Sequence, residues 1–136
     1  ENETIYKVLL DNAVISGKTF NIVSAYNKVI RYFIDIGQFE TAASYLRKMI
    51  VTTDFKDVEK IRLFGDVLEE CFEIISGGAK DSTELWKWAK PYLQKRTNMY
   101  GNLYTKGIAA AQVVGDSYAT QLEQEFIEWK KKVGLV

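Results

Sequence analysis

Histidine is absent from this chain, and cysteine and proline occur once each. Without histidine there is no Ser-His-Asp or Cys-His nucleophile system, no HExxH zinc site and no imidazole to move a proton near neutral pH. Metal clusters built on cysteine and histidine go with it. A single cysteine, Cys71, closes no internal disulfide, which fits a reducing compartment. Net charge is missing too: 18 basic side chains balance 18 acidic ones. The domain as a whole therefore lacks the electrostatic footprint of a nucleic-acid or anionic-membrane binder. No apolar run reaches transmembrane length, and no signal-peptide pattern is read at the start. These absences lead to the expectation of a cytoplasmic, non-enzymatic protein with no catalytic residues, no cofactor and no metal, binding neither nucleic acid nor membrane.

What is present points to a helical core. The chain is 47% hydrophobic and 13% aromatic, which excludes disorder and gives 136 residues enough apolar surface for one core. Residue 1 is Glu rather than Met, so the expectation is one domain over residues 1–136, excised from a larger protein. Seven helical segments follow from the 3.6-residue period. The first covers about residues 2–15, with Ile5, Val8, Leu9 and Ala13 on one face and Gly17 closing it. The second runs over about 20–36, with Thr19 as N-cap and Gly37 at the position after the helix where left-handed geometry is needed. The third covers about 39–52. The fourth covers about 55–76, with Asp54 as N-cap and a stripe of Val58, Ile61, Phe64, Leu68, Cys71 and Ile75. Asp81 and Glu84 have the spacing of a capping box for the fifth helix. That helix carries Leu85, Trp86 and Trp88 and meets Pro91, where a kink or break is expected. The sixth runs over about 98–114. The seventh runs over about 117–132, with Glu123, Glu125 and Glu128 ahead of Lys130, Lys131 and Lys132 in the order the helix dipole favours.

A cadence repeats along these helices. One stretch reads Tyr26, Val29, Ile30, Phe33, Gly37, Ala42, Leu46, Met49. Another reads Tyr104, Gly107, Ile108, Ala111, Gly115, Ala119, Leu122, Phe126. A Tyr stands eleven residues before a Gly in both, and again at Tyr6 and Gly17. With Phe39 added, residues 26–49 resemble a tetratricopeptide repeat (TPR). Residues 104–126 match less closely, with Gly107 at a close-packing position, and residues 55–97 depart from the pattern. The fold class expected is all-α, six or seven antiparallel helices in stacked hairpins, a TPR-like right-handed superhelix.

The resemblance implies a concave groove lined by the first helix of each hairpin. Carried onto this chain, the partner-binding residues would be Ser24, Asn27, Arg31 and Asp35, with Lys28 at the flank, and Asn102, Thr105, Lys106 and Gln112. Asn and Arg suit peptide amides and carboxylates, so an acidic segment is the ligand expected. The function implied is a protein–protein interaction or scaffold module that binds a peptide, a helix or another domain of its parent, as the regulatory or sensor part of a signalling protein. The alternative is a helical domain holding a small molecule among Trp86, Trp88, Tyr92, Tyr100 and Tyr104.

Charge is uneven. Asp54, Asp57, Glu59, Asp66, Glu69, Glu70 and Glu73 outnumber Lys56, Lys60 and Arg62, whereas Lys87, Lys90, Lys95, Arg96 and Lys106 face Glu84 alone. These blocks either attract each other across the stack or meet different partners. Glu69 and Glu73 read as a solvated helix face. Trp86 and Trp88, two apart on a helix, cannot share a face, which puts one of them at the surface or an interface. Gly17-Lys18-Thr19 completes half of a phosphate-binding loop, but Asn12 replaces its first glycine and helical periodicity flanks it on both sides. Glu40 to Leu46 resembles the opening of a DNA-binding helix-turn-helix, but the helix that would enter the groove is acidic.

Overall fold

The computed structural model describes residues 2–53, 62–95 and 101–134. It is all-helical: seven helices and no strand among the described residues. They are α1 (Asn2–Ser16), α2 (Thr19–Asp35), α3 (Phe39–Thr52), α4 (Phe64–Ser76), α5 (Ser82–Lys95), α6 (Gly101–Val114) and α7 (Asp116–Lys132). Asp54, expected as an N-cap, lies outside the described residues. So do the start of the expected fourth helix with Lys56, Asp57, Val58, Glu59, Lys60 and Ile61, and also Arg96, Tyr100 and residues 98–99.

α4 is the hub. It packs on α2, α3, α5 and α6, and Phe64, Val67, Leu68, Cys71, Phe72, Ile74 and Ile75 are all fully buried. A helix apolar on nearly every side belongs inside. What is left of α4 for polar groups is one narrow stripe: Asp66, Glu69, Glu70, Glu73 and, at its end, Ser76. α2 packs on α1, α3 and α4, and α6 on α4, α5 and α7. α2 presents Ile22, Tyr26, Val29, Ile30 and Phe33 to the interior, the i, i+4, i+7 set that makes a core-facing stripe. α7 buries little beyond Ala119, Leu122 and Trp129.

Glycine sets two of the turns. After α2, Gly37 has φ +75°; its N–H donates to the Ile34 carbonyl at 2.9 Å and that of Gln38 to Phe33 at 2.8 Å. This is the double-bonded Schellman stop, which satisfies carbonyls the helix would leave bare. α4 ends the same way, with Gly78 at φ +87° and bonds from Gly78 to Ile75 (3.0 Å) and Ala79 to Ile74 (3.4 Å). The α4–α5 turn then locks onto α3. The Lys80 N–H donates to Glu40 Oε1 at 2.5 Å, Arg47 donates to the Lys80 carbonyl at 3.0 Å, and Gly77 lies so close to Phe39 that a Cβ there would collide with the ring.

Four local expectations are corrected. α2 begins at Thr19, and Lys18, not Thr19, takes the N-cap place without a side-chain cap. Asp81 accepts from Leu85 at 3.3 Å through its carbonyl, but at φ +57°, away from the extended conformation of an N-cap. Of the kink or break expected at Pro91, the break is absent: α5 runs on through it. Lys87, whose carbonyl loses its partner there, and Pro91 itself are both exposed, so water can serve that carbonyl. In α1, apolar residues surround the axis, and periodicity does not choose a side. Leu10 and Ala13 are buried while Ile5 and Val8 are exposed, because Tyr6 packs on Tyr32 and Phe33 of α2, at ring distances of 5.1 and 6.3 Å.

Candidate polar face on α2, α4 and α6

α4 lies between α2 and α6, so its acidic stripe meets the polar stripes of both neighbours. Asn27, Arg31 and Asp35 recur along one side of α2 at spacings of four, and Asn102, Thr105, Lys106 and Gln112 along one side of α6. Arg31 reaches across to Glu73, with Nη1 donating to Oε2 at 2.7 Å and Nη2 to Oε1 at 3.5 Å. Its Nε donates to Asp35 at 3.0 Å within α2. A two-pronged guanidinium–carboxylate contact is directional as well as charged. The Glu73 hydrogen bond, opposed by partial burial and helped by Asp35, holds the Arg31 proton more firmly than in water. On the other side, Lys106 Nζ donates to Glu69 Oε2 at 3.3 Å.

Glu70 lies deepest, 3% exposed. Burial raises its acid to about 8; nearby Arg31 opposes the shift, while Asp66, Glu73 and Glu69 add to it. Asn27 serves either protonation state. Turned with its nitrogen inward, it donates to Oε1 and Oε2 at 2.5 and 2.9 Å; turned the other way, its carbonyl oxygen accepts the proton of the neutral acid. The buried group is therefore met in both forms, as a group removed from water requires.

Beside Glu73 the surface dips into a recess of about 330 Å³, lined by Ile34, Phe39, Phe72, Glu73, Lys106 and Ala109 among others. Its floor is apolar and its lip carries the two charged residues already tied into the ion-pair row.

Of the residues expected to bind a partner, Asn27, Arg31 and Lys106 come together around α4. Ser24 is half-buried, and Asp35, Asn102, Thr105 and Gln112 are exposed. The sequence reading missed Glu69, Glu70 and Glu73 as members of this face. Glu69 and Glu73 are half-buried and paired rather than solvated. The signal for this was present: with every other position of α4 up to Ile75 apolar, its one acidic stripe had to lie where neighbouring helices flank it. The charge blocks do attract across the stack at Lys106–Glu69, but Lys90 pairs instead with Glu125 of α7, at 3.4 Å. The described members of the aromatic set belong to the core or pack against it. Trp86 and Tyr104 are 1% and 2% exposed, and Trp88 and Tyr92 are half-buried against Phe64, at 5.9 and 5.0 Å. Gly17-Lys18-Thr19 joins two helices, with Gly17 at φ +68°. Among the described residues, no group of three or more Cys, Asp or Glu is arranged to hold a metal ion, and no helix is long and apolar enough to cross a membrane.

No protein-family model, curated protein or solved structure matches this chain.

Proposed function

We propose that this chain is a non-enzymatic protein–protein interaction module, a TPR-like stack of antiparallel hairpins, whose partner lies along α2, α4 and α6. One observation carries the reading: a continuous polar row crosses three neighbouring helices and ends at an open, apolar-floored recess. Packed helix faces are ordinarily apolar, and a recess beside polar groups gives a ligand both an anchor and an orientation. The order of helix contacts supports the stack, since α2, α4 and α6 adjoin in series while α3 and α5 each bridge two of them. Ser24, Asn27, Arg31, Asp35, Asn102, Thr105, Lys106 and Gln112 remain the partner-facing residues in this reading, with Asp66, Glu69 and Glu73 added.

The added acids change the chemistry of the partner. Arg31 is held by Glu73 and Asp35, and Lys106 by Glu69. A segment with basic side chains and one apolar anchor fits the row better than the acidic segment expected from the two cations alone. The partner would be a peptide, a helix or another domain of the parent protein. A fluorescence titration with arrays of basic and acidic amphipathic peptides tests this. Basic peptides should bind, and Asp66→Asn and Gln112→Ala should each weaken binding by about 1 kcal/mol or more with unchanged thermal midpoints. Glu123→Ala on α7 should leave binding intact. Preference for acidic peptides, or equal loss in the Glu123 variant, would reject the assignment.

A further inference from the structure

α1 and α3 both pack on α2 and touch each other little, which leaves a groove between them with α2 as its floor. The groove encloses about 540 Å³ and runs on, past Tyr26 and Lys48, into a second recess beside Arg47. Its walls differ in charge. On α1, Glu3 and Asp11 stand one turn to either side of Lys7, a spacing of four that keeps all three on one side of the helix. On α3, Arg47 and Lys48 line the groove with no acid beside them. Among the described residues no ion pair joins the two walls. Tyr26 rises from the floor. It is 6% exposed, and among the described residues its hydroxyl has no hydrogen-bond partner. Sealed polar atoms without partners occur elsewhere in the core, at Trp86 and Trp129. The Tyr26 hydroxyl is not one of them, so the exposure it keeps lies at its tip, which opens into the groove. Tyr45 stands next to it: burial, then the charge of Glu3, then the Tyr26 phenol raise its acid above the usual value. Lys48 Nζ lies 5.0 Å from the centre of the Tyr45 ring.

We propose that this groove binds a small zwitterion, a molecule carrying an ammonium and a carboxylate, with the carboxylate at Arg47 and Lys48, the ammonium at Glu3 and Asp11, and the Tyr26 hydroxyl hydrogen-bonded between them. Walls of opposite sign that do not reach each other suit a ligand with opposite ends. Lys7 can neutralise only one of its two acids at a time, so the α1 wall keeps one negative charge. A simple anion would meet that charge, and a simple cation would meet Arg47 and Lys48. The Lys80 carbonyl holds one Arg47 nitrogen at 3.0 Å, which orients the guanidinium and leaves further N–H groups to donate. A phenol nearly removed from water and without a partner is costly until something bonds it, and a ligand in the groove supplies that bond. The volume is in the range of small-molecule pockets, with Leu10 and the Tyr45 ring as apolar surface for the ligand's side chains. The proposal goes beyond the partner-binding reading and does not depend on it, because none of these residues belongs to the polar row.

Calorimetric titration of the chain with a panel of free amino acids and glycyl dipeptides tests the site. At least one member should bind saturably. Acetylating its amine or amidating its carboxylate should each weaken binding about tenfold, the worth of one charged hydrogen bond. Tyr26→Phe should weaken binding about threefold with an unchanged thermal midpoint, a loss that a merely packed ring would not show, since phenylalanine keeps the ring. Lys48→Gln should lower affinity for the free ligand but not for its amide, and Asp11→Asn for the free ligand but not for its acetylated form. Asp66→Asn, in the polar row, should bind the zwitterion like wild type, so failure of one site is seen apart from failure of the other. No binding across the panel overturns the proposal. So does inorganic phosphate that binds as tightly as the best zwitterion, which would mark a plain anion site.

Discussion

Three residues beyond Tyr26 in α2 stands Val29, which is fully buried; three residues beyond Tyr104 in α6 stands Gly107. A Cβ at Gly107 would lie 3.2 Å from Leu122 Cδ2 and 3.3 Å from Leu93 Cδ2. The same interval then ends in a left-handed Gly37 and a three-residue connection in one hairpin. In the other it ends in Gly115, extended at φ 163°, which alone separates Val114 from Asp116. Tyr104 stacks on Phe126 and lies near Trp129, at 5.1 and 5.6 Å, whereas in the first hairpin it is Phe33 that stacks on Tyr45, at 5.4 Å. A shared interval fixes how far the aromatic stands from the turn. It does not fix how closely the helices approach, which depends on the side chain between them. The hairpins also meet α4 differently: each does so through a partly exposed ion pair, Arg31–Glu73 and Lys106–Glu69, but α2 adds a buried acid met by an amide, Glu70 and Asn27.

That last difference should produce the largest effect. Burial lifts the Glu70 acid from 4.5 to about 8, so folding takes up a proton between those values. Stability should therefore be highest below pH 4.5 as far as this group is concerned, fall as pH rises to about 8, and level off above it. The loss across that window is on the order of 5 kcal/mol, because each tenfold fall in proton concentration inside it removes about 1.4 kcal/mol. Urea melts of wild type and Glu70→Gln across the window measure it; the variant should lack this slope, and parallel curves would refute the assignment. Removing the side chain of the first hairpin comes next. Val29→Gly should cost about 3 kcal/mol, from the emptied core and the weaker helix. The reciprocal change, Gly107→Val, should cost about 2 kcal/mol by overpacking Leu93 and Leu122, and Gly107→Ala less, because alanine favours the helix by about 1 kcal/mol. If Gly107→Val stabilises, the close approach of α6 and α7 is wrong. At the turns, Gly37→Val should lose roughly 1 kcal/mol or more and Gly37→Ala less. Gly115→Ala should stay within about 0.5 kcal/mol, since its backbone is open to any residue and a Cβ would only touch Tyr118, at 3.5 Å. Equal losses at both glycines would erase the contrast.

Helix order, the Gly37 stop and the close packing at Gly107 could be read from period and turn chemistry, because those signals are local. The polar row was half legible. Asn27, Arg31 and Lys106 stood out as a stripe opposite an apolar one, but their partners sit 37 to 43 residues away in sequence, at Glu69, Glu70 and Glu73. No local spacing reports such a pairing. The side of α1 that faces inward was not legible either, since only the contact of Tyr6 with Tyr32 and Phe33 chooses among several apolar arcs. Pro91 shows the converse: a strong local breaker signal does not break the helix where Pro91 and Lys87, whose carbonyl it frees, are both exposed.

Cys71 is fully buried, burial pushes its thiol far above the usual range, and its sulfur lies 3.8 Å from the Leu85 carbonyl oxygen. In the closed protein a thiol reagent meets neither an accessible sulfur nor a thiolate. Alkylation must wait for α4 and α5 to separate, so the labelling rate in native buffer times that opening event, with one reactive atom and no engineered probe.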